Sequence, residues 1–201
     1  MIRICSGLYK GRLLAVPPLA RPTASLVREA LMSMVAAKIP GARVLDPMAG
    51  SGAMALEALS RGAEMAVLAD SSPNARRVIA ANIALLQAPA KLVKATQPQD
   101  IGRLLAYGPF DLVFLDPPYQ KSLLALEFSL LAVQRKLVTP GAWLVWEQSP
   151  QSLLELTDLA VRPWIIKSSR TWGQRAAAIL TLPEAEPTPQ KTSDSPRELH
   201  K

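Results

Sequence analysis

The chain predicts an α/β fold: a doubly wound, mostly parallel sheet with an antiparallel C-terminal strand pair and a small N-terminal hairpin-and-helix extension. Three observations carry that expectation. Short apolar runs at Val44-Leu45, Met65–Ala69, Lys91–Ala95 and Phe110–Leu115 alternate with longer helix-forming stretches. Parallel strands buried on both faces and joined by crossover helices read this way. Asp46, Asp70 and Asp116 each follow such a run directly, and in open α/β sheets the carboxyl ends of the strands are where ligands bind. Behind Asp46, Pro47-Met48-Ala49-Gly50-Ser51-Gly52 forms a tight loop that opens into a helix. Glycines there let the backbone approach a ligand, and the helix N-terminus offers free N–H groups.

Taken in order, Ile2–Cys5 and Arg12–Val16 read as a hairpin around Ser6–Gly11, ended by Pro17-Pro18. Arg21-Pro22-Thr23 leads into a helix over Ala24–Ala37. The main domain then runs strand Val44-Leu45, helix Ala53–Leu59 with the glycine stop Gly62, strand Met65–Ala69, and helix Pro73–Leu86. It continues with strand Lys91–Ala95, a short helix over Pro98–Ala106, strand Phe110–Leu115 and a long helix over Ser122–Leu137. A fifth strand, Ala142–Trp146, follows a Pro140-Gly141 turn, and Val161–Lys167 pairs with Arg175–Leu182. The expected organisation is an extension over residues 1–40, a main domain over 41–182, and a polar, Pro-containing tail over 183–201 that reads as disordered.

Composition narrows the function. The chain has 201 residues and a net charge of +7. Residues 1–43 hold Arg3, Lys10, Arg12, Arg21, Arg28, Lys38 and Arg43 against Glu29, a net +6, which suits a polyanion-binding face. The single cysteine, Cys5, excludes an internal disulfide and fits a reducing, cytoplasmic setting. His200, the one histidine, is penultimate, which removes most histidine catalysis and any Cys/His zinc site; no metal is expected. No apolar run reaches the roughly 18 residues of a membrane span, and the N-terminus lacks a signal-peptide pattern.

The richest stretch is Asp116-Pro117-Pro118-Tyr119. The two prolines fix φ and remove two backbone donors, leaving a stiff turn with a carboxylate, carbonyl acceptors and an aromatic face. Such a turn suits a planar base with an exocyclic amine: the acceptors take its N–H groups and Tyr119 stacks on its ring. For the first loop two ligands compete. Gly50-Ser51-Gly52-Ala53-Met54-Ala55 matches a dinucleotide fingerprint with Asp70 about the right distance on, whereas Asp46 before the glycines would repel a pyrophosphate and favours a single nucleoside. Ser51 lacks a histidine to activate it as a nucleophile.

On Ser6–Arg12, Arg21-Pro22-Thr23 with Val27-Arg28-Glu29, Val44–Asp46 with Ala49–Gly52, Leu56–Ala63 and Phe110–Tyr119, the chain resembles the RsmD-type bacterial 16S ribosomal RNA guanine-N2 methyltransferases. The resemblance implies a Rossmann-like fold and S-adenosylmethionine (SAM) as cofactor. It places Asp46, Ala49, Gly50 and Gly52 at the amino-acid end of SAM, Asp70 with Ser71 at the ribose, and Thr96 and Gln97 near the adenine. Asp116, Pro117, Pro118 and Tyr119 would hold the target base. Arg3, Tyr9, Lys10, Arg12, Arg21 and Arg28 would face RNA, with ribosomal RNA or a small-subunit assembly intermediate as partner and a monomer as the working state. This chain departs from the pattern at Pro47-Met48, at Ser72 and at Thr96-Gln97, where the family usually has Leu-Phe, an acid and an acid. An amino-methyltransferase acting on another RNA or DNA base, a non-catalytic RNA-binding or ribosome-assembly protein that keeps the fold, and an NAD-dependent oxidoreductase are the rival functions.

Overall fold

The computed structural model describes residues 1–18, 25–117, 122–154 and 161–184. Arg21, Pro118, Tyr119 and the tail over 185–201 lie outside these described residues. The strands are β1 (Ile2–Arg3), β2 (Leu13–Leu14), β3 (Arg43–Asp46), β4 (Met65–Asp70), β5 (Ala90–Lys94), β6 (Phe110–Leu115), β7 (Val138–Gln148), β8 (Ile165–Trp172) and β9 (Arg175–Thr181). The helices are α1 (Ser25–Met34), α2 (Ala53–Ser60), α3 (Pro73–Leu86), α4 (Ser122–Gln134) and α5 (Pro150–Leu154).

Seven strands form one sheet in the order β5-β4-β3-β6-β7-β9-β8. Pairings from β5 through β7 are parallel, and β9 is antiparallel to both β7 and β8. The doubly wound sheet with its antiparallel C-terminal pair is thus borne out. Alternation along the strands explains the two layers. Val44, Ala66, Leu68, Leu112 and Phe114 pack with residues of α1, α2 and α3 on one face. Leu45, Val67, Ala69, Val113 and Leu115 pack with α4 residues Ala125, Phe128 and Ala132 on the other. Period-two side chains buried on both sides are what make these strands apolar throughout. The chain winds outward from β3 to β5, then returns to β6 on the other side of β3, so the topological switch point lies between β3 and β6.

Three of the departures from the sequence-based boundaries have a local physical reason. The strand expected at Ala142–Trp146 spans Val138–Gln148, and Pro140-Gly141 is a bulge inside it. Its register against β6 shifts between Phe110 and Leu112; Pro140 has no N–H to give the ladder, and Gly141 sits at φ 71°. The helix expected over Pro98–Ala106 is two 3-10 turns, Ile101–Arg103 and Leu105–Tyr107. Asp100 there accepts the Thr96 N–H at 2.9 Å, closing a local turn in place of a helix. The strand expected from Val161 begins at Ile165, because Trp164 N–H turns back to the Val161 carbonyl and its buried indole N–H reaches the Ser129 carbonyl.

The N-terminal extension has only two residues per strand, and its stability comes from docking on the main sheet layer. Ile2, Ile4 and Leu14 join the core formed with α1 and α2. A Cβ on Gly7 (φ 81°) would lie 1.6 Å from the Ser60 carbonyl oxygen, so only glycine allows the loop to lie against the end of α2. No helix among the described residues is long and apolar enough to cross a membrane.

Candidate functional site

Three acids line one edge of the sheet. Asp70 ends β4, Asp46 ends β3 and Asp116 directly follows β6, and these strands are neighbours. Adjacent strands lie about 4.8 Å apart, so the three carboxylates share an edge roughly 10 Å long. Asp46, in the middle, is 3% exposed. Burial pushes its carboxyl well above the ordinary carboxylate range, and the charges of Asp116 and Asp70 push it further; N–H groups of Ala55 and Met48 oppose this. Asp116 is exposed while Pro117 behind it is buried, so the turn is anchored in the core and presents the acid outward.

The glycine loop is held to the same edge. Ala49 N–H donates to the Ala69 carbonyl at 3.0 Å. Asp70 accepts the Gly50 N–H through Oδ2 at 2.9 Å and the Ser72 N–H through Oδ1 at 2.8 Å. Gly50 (φ 56°) has open space where a Cβ would stand. Gly52 (φ 78°) serves packing: a Cβ would meet Leu68 Cδ2 at 2.6 Å, and the residue starts α2. Ser72, one of the departures from the family pattern, caps α3, accepting the Ala75 N–H at 3.4 Å ahead of Pro73. Ser71 is exposed and its carbonyl accepts from Arg76.

Beyond β4, the chain leaving β5 places Thr96 exposed and Gln97 buried. Both polar atoms of the Gln97 side chain lack a hydrogen-bond partner among the described residues. Buried amides are normally paired, so this side chain keeps unused hydrogen-bonding capacity among the described residues. An open cleft at the β3/β6 switch point is lined by Arg28, Asp46, Met48, Gly50, Ser51 and Asp116, among others. Among the described residues, no three His, Cys, Asp or Glu side chains converge as metal ligands would.

The residues expected to face RNA divide. Arg3, Lys10 and Arg12 are exposed, and Tyr9 is half-buried against the core. Arg28 is a correction: it is 2% exposed and lines the cleft with Asp46 and Asp116. Its helix turns it inward, where Nη2 donates to the Arg3 carbonyl at 2.7 Å and to Cys5 Sγ at 3.3 Å.

Two features escaped the sequence. One is Glu57, fully buried on α2, which accepts N–H groups of Cys5 (2.9 Å) and Ser6 (3.1 Å) and both Nε and Nη2 of Arg61. The other is the sheet edge at β8, where Lys167 lies 4.9 Å over the Trp143 ring and Arg170 5.5 Å over the Trp172 ring. A signal for the second existed: residues 161–182 hold Arg162, Lys167, Arg170 and Arg175 and no acid.

Comparison with known proteins identifies the family. A family model described as "Conserved hypothetical protein 95" matches residues 2–180. Ribosomal RNA small subunit methyltransferase D of Escherichia coli K12 is 40% identical over 134 residues, 65% of this chain and 66% of that protein. The protein of the same name from Buchnera aphidicola (Acyrthosiphon pisum) is 30% identical over 149 residues, 73% of this chain and 78% of its own. Among solved structures, the yhhF protein of Escherichia coli superposes with a TM-score of 0.78 at 33% identity, covering 92% of this chain and 99% of that one. The chain belongs to the family matched over residues 2–180, that of the RsmD-type methyltransferases.

Proposed function

We propose that this protein transfers a methyl group from SAM to the exocyclic N2 amine of a guanine in 16S ribosomal RNA. The observation that carries the reading is the order of polar groups along one sheet edge: Gln97 after β5, Asp70 on β4, Asp46 on β3 and Asp116 after β6. Those residues fit the cofactor. The orphaned Gln97 amide suits an adenine, the Asp70 oxygens keep lone pairs for ribose hydroxyls, and Asp46 suits an ammonium. A pyrophosphate would gain no counter-charge from the buried Asp46 in either protonation state, whereas an ammonium gains one from its carboxylate.

SAM, when bound, would supply the methyl group from its sulfonium centre, with the neutral thioether as the leaving group. The chain's task is positioning and electrostatics. Asp116 accepts a hydrogen bond from the target amine, which localises its lone pair and offsets the positive charge that grows on nitrogen. The buried Pro117 fixes the direction of that carboxylate. By resemblance, Pro118 and Tyr119 complete the base site with a carbonyl and a stacking ring. Gly50 leaves room for the cofactor: Gly50→Val places a branched side chain in that space at a φ of 56°, and is expected to abolish measurable SAM binding in calorimetry. Unaltered affinity would remove the loop from the cofactor site.

The exposed cations Arg3, Lys10 and Arg12, with Lys167 and Arg170 on β8, offer charge for RNA phosphates. Lys10→Ala with Arg12→Ala is expected to weaken RNA binding and flatten its salt slope by about two, while sparing SAM affinity. An unchanged slope would return these residues to plain solvation.

The deciding experiment incubates the protein and labelled SAM with small subunits and with naked 16S RNA, both from a strain lacking the family enzyme. Nuclease digestion and mass spectrometry should show N2-methylguanosine. Methyl on an adenine, or none in either substrate, overturns the proposal.

A further inference from the structure

The buried cluster around Glu57 does not balance within itself. Glu57 (side chain 1% exposed) is engaged by four N–H groups, two from Arg61 and two from the backbone of Cys5 and Ser6. Arg61 therefore already serves as its counter-ion. Arg28 (side chain 3% exposed) approaches Glu57 only to 3.9 Å, and among the described residues its hydrogen bonds go to neutral acceptors, the Arg3 carbonyl and the Cys5 sulfur. Its Nε has no hydrogen-bond partner among the described residues. Within the Glu57 cluster one carboxylate thus faces two guanidiniums, and the charge of Arg28 is left at the wall of the cleft, where Asp46 and Asp116 also stand. A buried charge is costly unless an opposite charge meets it.

The cleft says what would meet it. Arg28 is the sole cation lining it among the described residues, and it stands with Asp46 and Asp116. A wall with one cation and two acids is complementary to a zwitterion. We infer that Arg28 anchors the α-carboxylate of the cofactor's amino-acid end, leaving the ammonium for Asp46. This rests on the SAM reading above and deepens it. The guanidinium suits the task because its planar fork matches a carboxylate. The same arginine ties the Arg3 carbonyl, so the bound carboxylate and the basic N-terminal loop would share one side chain.

The inference is tested from the ligand side first, with the wild-type chain. Calorimetry would compare S-adenosylhomocysteine, its decarboxylated analogue, and 5′-methylthioadenosine, which lacks the amino-acid end. Removing the carboxylate should cost roughly 10- to 100-fold in affinity, the scale of a charge-assisted bond. Equal binding of the first two ligands overturns the inference without any variant having to fold. Arg28→Met is then expected to lose a similar factor for S-adenosylhomocysteine, little for methylthioadenosine, and nothing further when the carboxylate is removed. Arg28→Lys should recover part of the loss. If Arg28→Met leaves S-adenosylhomocysteine binding intact but weakens RNA binding, the anion is an RNA phosphate and the carboxylate assignment fails. If all three ligands fail to bind wild type, the SAM reading itself falls, a result distinct from either.

Discussion

Asp116→Asn is expected to slow single-turnover methyl transfer by about 100- to 1,000-fold, the usual scale for removing one preorganised electrostatic contact. The substitution keeps the shape of the turn, because Pro117 remains buried behind it. What changes is the acceptor. An amide NH2 would face the target amine donor to donor, or rotate and present a neutral oxygen. In both cases the charge that stabilises the developing ammonium-like nitrogen is gone. SAM affinity should change far less, and in a defined direction. The charge of Asp116 helps hold Asp46 above its ordinary value, so its loss lets Asp46 ionise more readily and favours a bound ammonium. Quench-flow methyl transfer and calorimetry on the same preparation separate the two effects. A near wild-type rate in a folded variant would make the turn structural.

Glu57→Gln should be strongly destabilising although it is conservative in shape. It removes the carboxylate that, among the described residues, stands between Arg28 and Arg61 and turns one acceptor position into an NH2 directed at N–H donors of Cys5, Ser6 or Arg61. Breaking a buried ion pair from one side costs about 3–5 kcal/mol, because the remaining charge stays buried and uncompensated. For a chain of this size that corresponds to a fall in melting temperature of roughly 10 °C or more. The loss should centre on the N-terminal loop, since Glu57 and the close seat of Gly7 on Ser60 hold it to α2. Hydrogen exchange would show residues 2–14 losing protection before β3, β4 and β6. A melting temperature within about 2 °C of wild type would show the cluster to be dispensable.

The layer architecture was legible in the sequence because it depends on local pattern. Apolar runs of strand length, separated by helix formers, can pack only as a two-sided sheet, and the acids at Asp46, Asp70 and Asp116 could be placed at its carboxyl edge from chain position alone. The bulge at Pro140-Gly141 was misread as a turn because both features call for the same residues; only the β6 partner, present on both sides of the irregularity, makes it a bulge.

Arg28 shows the limit most clearly. In the sequence it is one of several cations in a basic N-terminal stretch, and charge counting puts it on a polyanion-binding face. The fold buries it against Cys5 and Glu57 and opens it to the cleft. Glu57 likewise reads as an ordinary helix residue until the N-terminal loop, more than fifty positions earlier, is laid across it. The sequence by itself determined the sheet, the edge carrying the chemistry and the acids along it, since hydrophobic period and strand ends are short-range properties. Which charged groups are solvated and which are desolvated and paired was decided by tertiary structure alone, because burial depends on segments that meet only after the chain has folded.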